Sequence, residues 1–296
     1  MPEFPFLQVD AFTKHPFGGN PCAVLLDTDG IKPKTMAAIA REMNLPETAF
    51  VRRSVGADFA VRYFTPAEEI PLAGHPTIAV AFTLVETGRI QLTHPQTTIT
   101  LEMPAGIIPV EIRSSRESVG PIFMSQLKPQ FLRIYDPGIV LPVFGLEKAD
   151  LIPGVPIQTV STGTPQLMLP LRTQESLRRA QLDFTAYRNL RTKGDFSSPH
   201  LFCLHGVSKN GLTFARHLGA PPDILEDPFT GSATGGMAAY LWHYGLINQA
   251  EFIAEQGHWM GRPGMANVEI IGSRASIETV RVGGNAVTVL RGCFVL

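Results

Sequence analysis

Gly74-His75-Pro76-Thr77-Ile78-Ala79-Val80-Ala81-Phe82, running on to Gly88, has a second copy in Gly231-Ser232-Ala233-Thr234-Gly235-Gly236-Met237-Ala238-Ala239, running on to Gly245. Both copies open on Gly, carry Thr three places later, turn apolar and close on Gly after the same interval. Each reads as a loop feeding the N-terminus of a buried helix. Such a terminus presents N–H groups and the positive end of the helix dipole, which suits an anion. Two of them in one chain predict two half-sites that face each other.

The order of elements around the copies also recurs. Before the first come a strand over 6–12, a turn at Gly18-Gly19-Asn20-Pro21 and a strand over 22–26. Met36, Ile39, Ala40 and Met43 then share one helical face, with Pro46 as the stop. Strands over 48–52 and 58–64 and a loop over 65–72 lead into Gly74. Strands over 97–103 and 107–112 follow, around Pro104-Ala105-Gly106. In the second half, the strand–Gly–x–Pro–strand opening returns over 158–169. A helix near 176–180, strands over 201–205 and 212–217 and a loop over 218–229 lead to Gly231. Segments 252–256 and 267–271 close the unit around Pro263-Gly264. The period is too long, and the copies too few, for a solenoid. Helices are too sparse for regular parallel crossovers. The expected class is α+β, with each half strand-rich around one central helix. The stretch 114–131, rich in Ser, Arg, Glu, Gly and Pro, is the expected junction.

The chain has 296 residues, 44% apolar and 17% charged, ample for two cores without a disulfide or metal staple. A formal net charge of -1 and no basic block speak against nucleic acid as a partner. Cys22, Cys203 and Cys293 form no CxxC and no even framework, which favours a reducing compartment. Met1-Pro2-Glu3-Phe4-Pro5-Phe6 lacks the pattern of a signal peptide, and the apolar run 78–85 is too short to span a bilayer. The expectation is a cytoplasmic protein with no membrane partner.

Three constellations carry candidate chemistry. In Asn44-Leu45-Pro46-Glu47-Thr48-Ala49-Phe50 a carboxylate sits among apolar neighbours, where its proton affinity can rise towards that of a proton shuttle. An exposed loop Glu is the plain alternative. In Gly74-His75-Pro76, His75 lies near a helix cap, where the dipole disfavours imidazolium and a neutral ring can donate to a substrate. A capping or packed histidine is the alternative. In Glu226-Asp227-Pro228-Phe229-Thr230-Gly231-Ser232-Ala233, Asp227 is placed to hold an amine or hydroxyl. Ser232 and the amides of Gly231 to Ala233 are placed to hold a carboxylate. Ordinary N-capping accounts for one such residue. No GxGxxG, P-loop, GxSxG, HxH or HExxH pattern is present, so no metal site is expected, and Cys22 reads as a small strand residue.

Together these segments resemble the phenazine-biosynthesis PhzF-like isomerase family. The resemblance rests on Asp10-Ala11-Phe12 with Phe17-Gly18-Gly19-Asn20-Pro21, on Asn44-Leu45-Pro46-Glu47-Thr48 and on Gly74-His75-Pro76-Thr77. It continues through residues 226–233 to Gln256-Gly257 with Gly261-Arg262-Pro263, and covers nearly the whole chain. It implies the diaminopimelate-epimerase-like fold: two similar domains, each a strand-rich, barrel-like sheet around a central helix, with the active site in the cleft between them. The expected domains are 1–116 and 117–286, with strand 287–296 returning to the first. The resemblance further implies a homodimer, no cofactor, no metal and a small-molecule carboxylate substrate. The family's best-known activity moves a proton across the conjugated system of trans-2,3-dihydro-3-hydroxyanthranilate. On that pattern Glu47 shuttles the proton, with His75 and Asp227 as its catalytic partners. Gly74, Gly231, Ser232, Ala233 and Asn20 bind substrate.

The chain departs from many members at Pro46, where Ser is common, and at 234–236, often His-containing in relatives. Related epimerases use two facing cysteines, whereas the matching helix starts here carry His75 and Ser232. A two-thiol mechanism is therefore disfavoured. An epimerase or racemase using Glu47 with a second base, and a non-catalytic metabolite-binding dimer, stand as alternatives to the isomerase.

Overall fold

A computed structural model of the chain describes residues 1–115, 118–221 and 224–296. It divides into two compact units, Met1–Met124 with Gly283–Leu296, and Ser125–Val282. In the first unit β1 (Glu3–Ala11) and β2 (Asn20–Leu25) are antiparallel. Helix α1 (Pro33–Met43) crosses over to β3 (Glu47–Arg52), which lies parallel to β2, the pairing a helical crossover permits. β4 (Phe59–Phe64) returns antiparallel, and the short β5 (Glu69–Ile70) pairs with its end. Then come α2 (Gly74–Glu86), the hairpin β6 (Gln96–Met103) and β7 (Gly106–Ser114), and β8 (Val119–Ser125). The last strand of the chain, β18 (Ala286–Val295), pairs with β1.

Alternation along the strands gives the first unit two packing faces. Ala23, Leu25, Phe50 and Phe64 pack with Met36, Ile39 and Ala40 of α1. The opposite face carries Cys22, Val24, Glu47, Ala49 and Tyr63 and is left to α2. That helix buries Ile78, Ala79, Val80, Ala81 and Leu84, so it is apolar on nearly every side. Its small residues let strands approach closely.

The second unit repeats this plan. β9 (Gln130–Tyr135) and the short α3 (Pro137–Val140) precede β10 (Ile157–Ser161) and β11 (Pro165–Pro170). Helices α4 (Gln174–Arg179) and α5 (Phe184–Thr192) cross to β12 (Ser198–Cys203), which is parallel to β11. β13 (Gly211–Leu218), β14 (Glu226–Asp227), α6 (Gly231–His243), β15 (Glu251–Gln256), β16 (Gly264–Ser273) and β17 (Ser276–Gly284) follow.

The strand registers align the two units residue by residue. Cys22 lies opposite Glu47, and Gln166 opposite Ser198. Tyr63 lies opposite Ile70, and His217 opposite Asp227. Arg62 makes two bonds of 2.6 and 2.5 Å to Glu69, and Arg216 two of 2.9 and 2.8 Å to Glu226. The Thr77 hydroxyl donates to the Ala73 carbonyl at 2.6 Å, and that of Thr234 to Thr230 at 2.9 Å. The α+β class and the duplicated plan around a central helix are thus visible in bonds as well as in topology.

Several local expectations change. The α1 helix ends at Asn44 rather than at Pro46. Asn44 adopts φ 50° and its N–H closes on the Ala40 carbonyl, a left-handed cap that Asn tolerates well. The expected junction 114–131 is largely strand: β8 buries Ile122, Phe123 and Met124, and the chain divides after Met124, within that stretch. The expected boundary between 116 and 117 lies outside the described residues, as do 222 and 223 of the expected loop 218–229, whose residues Glu226–Asp227 form β14. The expected helix near 176–180 is α4, and a second helix, α5, follows it. The second is started by Asp183, whose carboxylate accepts from Thr185 and Ala186 amides at 2.9 Å.

Gly19 fixes the loop that carries Asn20. At φ 51°, a Cβ there would sit 2.0 Å from the Ala11 carbonyl oxygen. Gly19→Ala is expected to destabilise the protein by about 2–4 kcal/mol in denaturant unfolding. Gly30→Ala is the control, because Gly30 has φ 91° but no atom within 4 Å of such a Cβ. That variant should lose only about 1–2 kcal/mol of backbone preference. Equal losses would contradict the role of close approach at Gly19.

Candidate active site

The first unit gathers four of the candidate residues. Asn20 opens β2 and is fully buried. Glu47 opens β3, beside Cys22 across the parallel ladder, and 20% of its side chain is exposed. Gly74 and His75 are the first two residues of α2. These elements bring His75 Nε2 to 3.2 Å from Glu47 Oε2, close but without the directional geometry of a hydrogen bond. Burial holds the imidazole neutral and lowers its pKa to about 3, against a smaller opposing effect of a hydrogen bond to the Pro21 backbone. The direction is the one expected at a helix start, but its cause is desolvation and not the helix dipole.

Behind the pair lies a polar layer that the sequence did not single out. The Tyr63 hydroxyl is 2.7 Å from the Thr77 hydroxyl. Burial, helped by the Glu47 charge, pushes the Cys22 thiol well above its usual range, so Cys22 is not a thiolate. Cys22 is the small strand residue expected, yet it is also the cross-strand neighbour of Glu47.

The second unit gathers the others. Asp227 lies in β14, and its Oδ2 accepts from the Thr230 hydroxyl at 2.5 Å. Gly231 and Ala233 are buried in the first turn of α6, and Ser232 is half-buried. Thr230 stands at the N-cap but makes no side-chain cap bond. Ordinary capping by Thr230 therefore does not explain this segment. Gln256 is the residue whose role only the structure reveals. Its side chain donates to the Asp227 carbonyl at 2.7 Å and accepts from the Thr230 amide at 3.2 Å, clamping the loop between β14 and α6. Gly257 beside it approaches so closely that a Cβ would lie 2.5 Å from the Pro228 carbonyl oxygen. The motif pair Gln256-Gly257 was the available signal.

Buried neutral histidines make stability acid-sensitive. His217 is lowered to about 4 by burial, and His200 is lowered by burial and then by His217. The unfolded chain binds protons at these rings near pH 6.5, while the folded chain does not. Stability is full above that pH. It falls as pH drops from about 6.5 through about 4 for His217 and on to about 3 for His75. Denaturant unfolding is expected to show a loss on the order of a kcal/mol or more between pH 6.5 and 5, before most carboxylates titrate. A flat profile there would contradict burial of neutral rings.

Residues 9–292 match the family model described as phenazine biosynthesis-like protein. The chain belongs to this family. Within the phenazine biosynthesis-like family, it is 33% identical over 289 residues to the uncharacterized isomerase YfhB of Bacillus subtilis, covering 97% of each chain. It is 31% identical over 293 residues to a trans-2,3-dihydro-3-hydroxyanthranilate isomerase of Pseudomonas fluorescens, covering 98% of this chain and 99% of that one. The crystal structure of a Bacillus anthracis PhzF-family phenazine biosynthesis protein matches with a TM-score of 0.90 at 29% identity, over 100% of both chains. Among the described residues, no helix is long and apolar enough to cross a membrane.

Proposed function

We propose that this member of the family is a cofactor-independent isomerase. Its substrate is a small carboxylated, cyclic and unsaturated metabolite of the trans-2,3-dihydro-3-hydroxyanthranilate kind, and Glu47 is the proton shuttle. The observation that carries the reading is the 3.2 Å approach of a neutral His75 Nε2 to Glu47 Oε2. A neutral imidazole has one N–H. The ring's bond to Pro21 uses it, because the proline backbone offers only a carbonyl, and Nε2 is left as a lone pair. That lone pair faces Glu47 Oε2 without a hydrogen bond in the resting site, and offers an acceptor once Glu47 has taken a proton from substrate.

Glu47 thus takes a proton from one substrate carbon, holds it against His75, and returns it at another carbon of the conjugated system. The Glu47 side chain, 20% exposed, lets the held proton exchange with solvent before it is returned. His75 is too weak a base to become imidazolium at neutral pH, so it tunes and orients Glu47 and does not replace it. Asp227, held by Thr230 and Gln256, suits a substrate amine or hydroxyl. Ser232 and the first-turn amides of α6, with Gly231 and Ala233, suit the carboxylate. Gly74 and Asn20 complete the binding residues. The test is consumption of trans-2,3-dihydro-3-hydroxyanthranilate, followed by loss of its conjugated absorbance in the presence of a chelator. Turnover is expected. Binding without any chemical change would favour the metabolite-binding alternative, and loss of optical rotation at an unchanged skeleton the epimerase.

A further inference from the structure

The register alignment of the units picks out Ser198, which no motif marks. Ser198 opens β12 opposite Gln166, as Glu47 opens β3 opposite Cys22. Two residues further on, His200 lies opposite His217, as Ala49 lies opposite Tyr63. Ser198 is half-buried, like Glu47, while Gln166, His200 and His217 behind it are 3%, 0% and 8% exposed.

The hydrogen bonds around Ser198 can be counted. Its Oγ is 2.8 Å from Gln166 Oε1 and 2.8 Å from His217 Nε2, and His217 Nδ1 is 3.3 Å from His200 Nδ1. Ser198 donates its hydrogen to Gln166 Oε1 and therefore accepts from His217 Nε2–H. A hydroxyl has one hydrogen and two lone pairs. The hydrogen and one lone pair are used, and one acceptor position remains. His217 and His200 are neutral, so the cluster offers no cation to an anion.

We infer that Ser198 is the second unit's counterpart of Glu47 and contacts the substrate, accepting a hydrogen bond from its amino or hydroxyl group and not binding its carboxylate. This inference rests on the isomerase reading above. A purely structural Ser198 would pin β11, β12 and β13 together but would be indifferent to which groups the ligand carries.

The test is calorimetric binding of four ring probes: 3-hydroxyanthranilate, anthranilate, 3-hydroxybenzoate and benzoate. Ser198→Ala is expected to weaken 3-hydroxyanthranilate about tenfold, to leave benzoate unchanged, and to be restored by Ser198→Thr. Ser198→Cys, close in shape but a weak acceptor, is expected to behave like Ser198→Ala and serves if that variant does not fold. Equal weakening of all four probes, or none, would overturn the inference. If Glu47→Gln abolishes proton exchange while Ser198→Ala leaves the probe preference intact, only the Ser198 assignment falls. If the wild-type protein binds none of the probes and turns over no substrate, the isomerase reading falls and takes the Ser198 assignment with it.

Discussion

Glu47→Gln is expected to lower kcat by about 10³-fold or more while leaving the melting temperature close to wild type. Gln has nearly the same shape and stays polar, and the position is partly exposed at the start of β3, so little packing is disturbed. What disappears is the only atom of the pair able to carry the proton away from carbon. KM should change far less than kcat, because the group acts in the transition state more than in binding. Glu47→Asp keeps the carboxylate but withdraws it from His75 by one methylene. It should fall between the two, since proton transfer is steep in distance. Proton exchange by Glu47→Gln at the wild-type rate would remove Glu47 from the shuttle role.

His75→Asn is expected to reduce kcat by about 10²-fold, again with a small effect on KM. The Asn amide still offers an N–H towards Pro21, but no lone pair reaches the position of Nε2, so the proton on Glu47 loses its acceptor. Losing the ring at a site only 6% exposed should also cost about 1–3 kcal/mol of stability. The pH profile separates a tuning role from a titrating one. With the His75 pKa lowered to about 3 by burial, the ring stays neutral from pH 5 to 8. Any limb of the rate profile in that range should therefore persist in His75→Asn. A limb near pH 6.5 that vanished with the substitution would show that His75 itself gains and loses the proton.

The features legible in the sequence are those that depend on neighbours along the chain. The two Gly-Thr segments announce buried helices because their residues are small and apolar on every side, and α2 and α6 occupy those positions. Glu47 stands out in the sequence because Pro46 and apolar residues flank it. What depends on strand register was not legible. Ser198 aligns with Glu47 only through pairing of β12 with β11 and of β3 with β2, whose partners lie 32 and 25 residues apart respectively. The Gln256 clamp closes on Asp227 and Thr230 from 29 and 26 residues away. Asn44 is hidden in the sequence by a proline two residues later, the louder stop signal, although Asn supplies the left-handed cap. The low proton affinity of His75 was legible in direction from its place at a helix start. Its cause was not, since burial depends on how strands close over the ring.

Both predictions converge on where a solvent proton ends up. The most direct measurement is turnover of trans-2,3-dihydro-3-hydroxyanthranilate in deuterated water, with the labelled carbon located by NMR, for wild type and Glu47→Gln in parallel. The expected result is label at a carbon that carried no proton before the reaction, a shifted double bond, and neither change with Glu47→Gln. Label confined to the original carbon, or the same exchange in both proteins, would contradict a proton carried across the ring by Glu47.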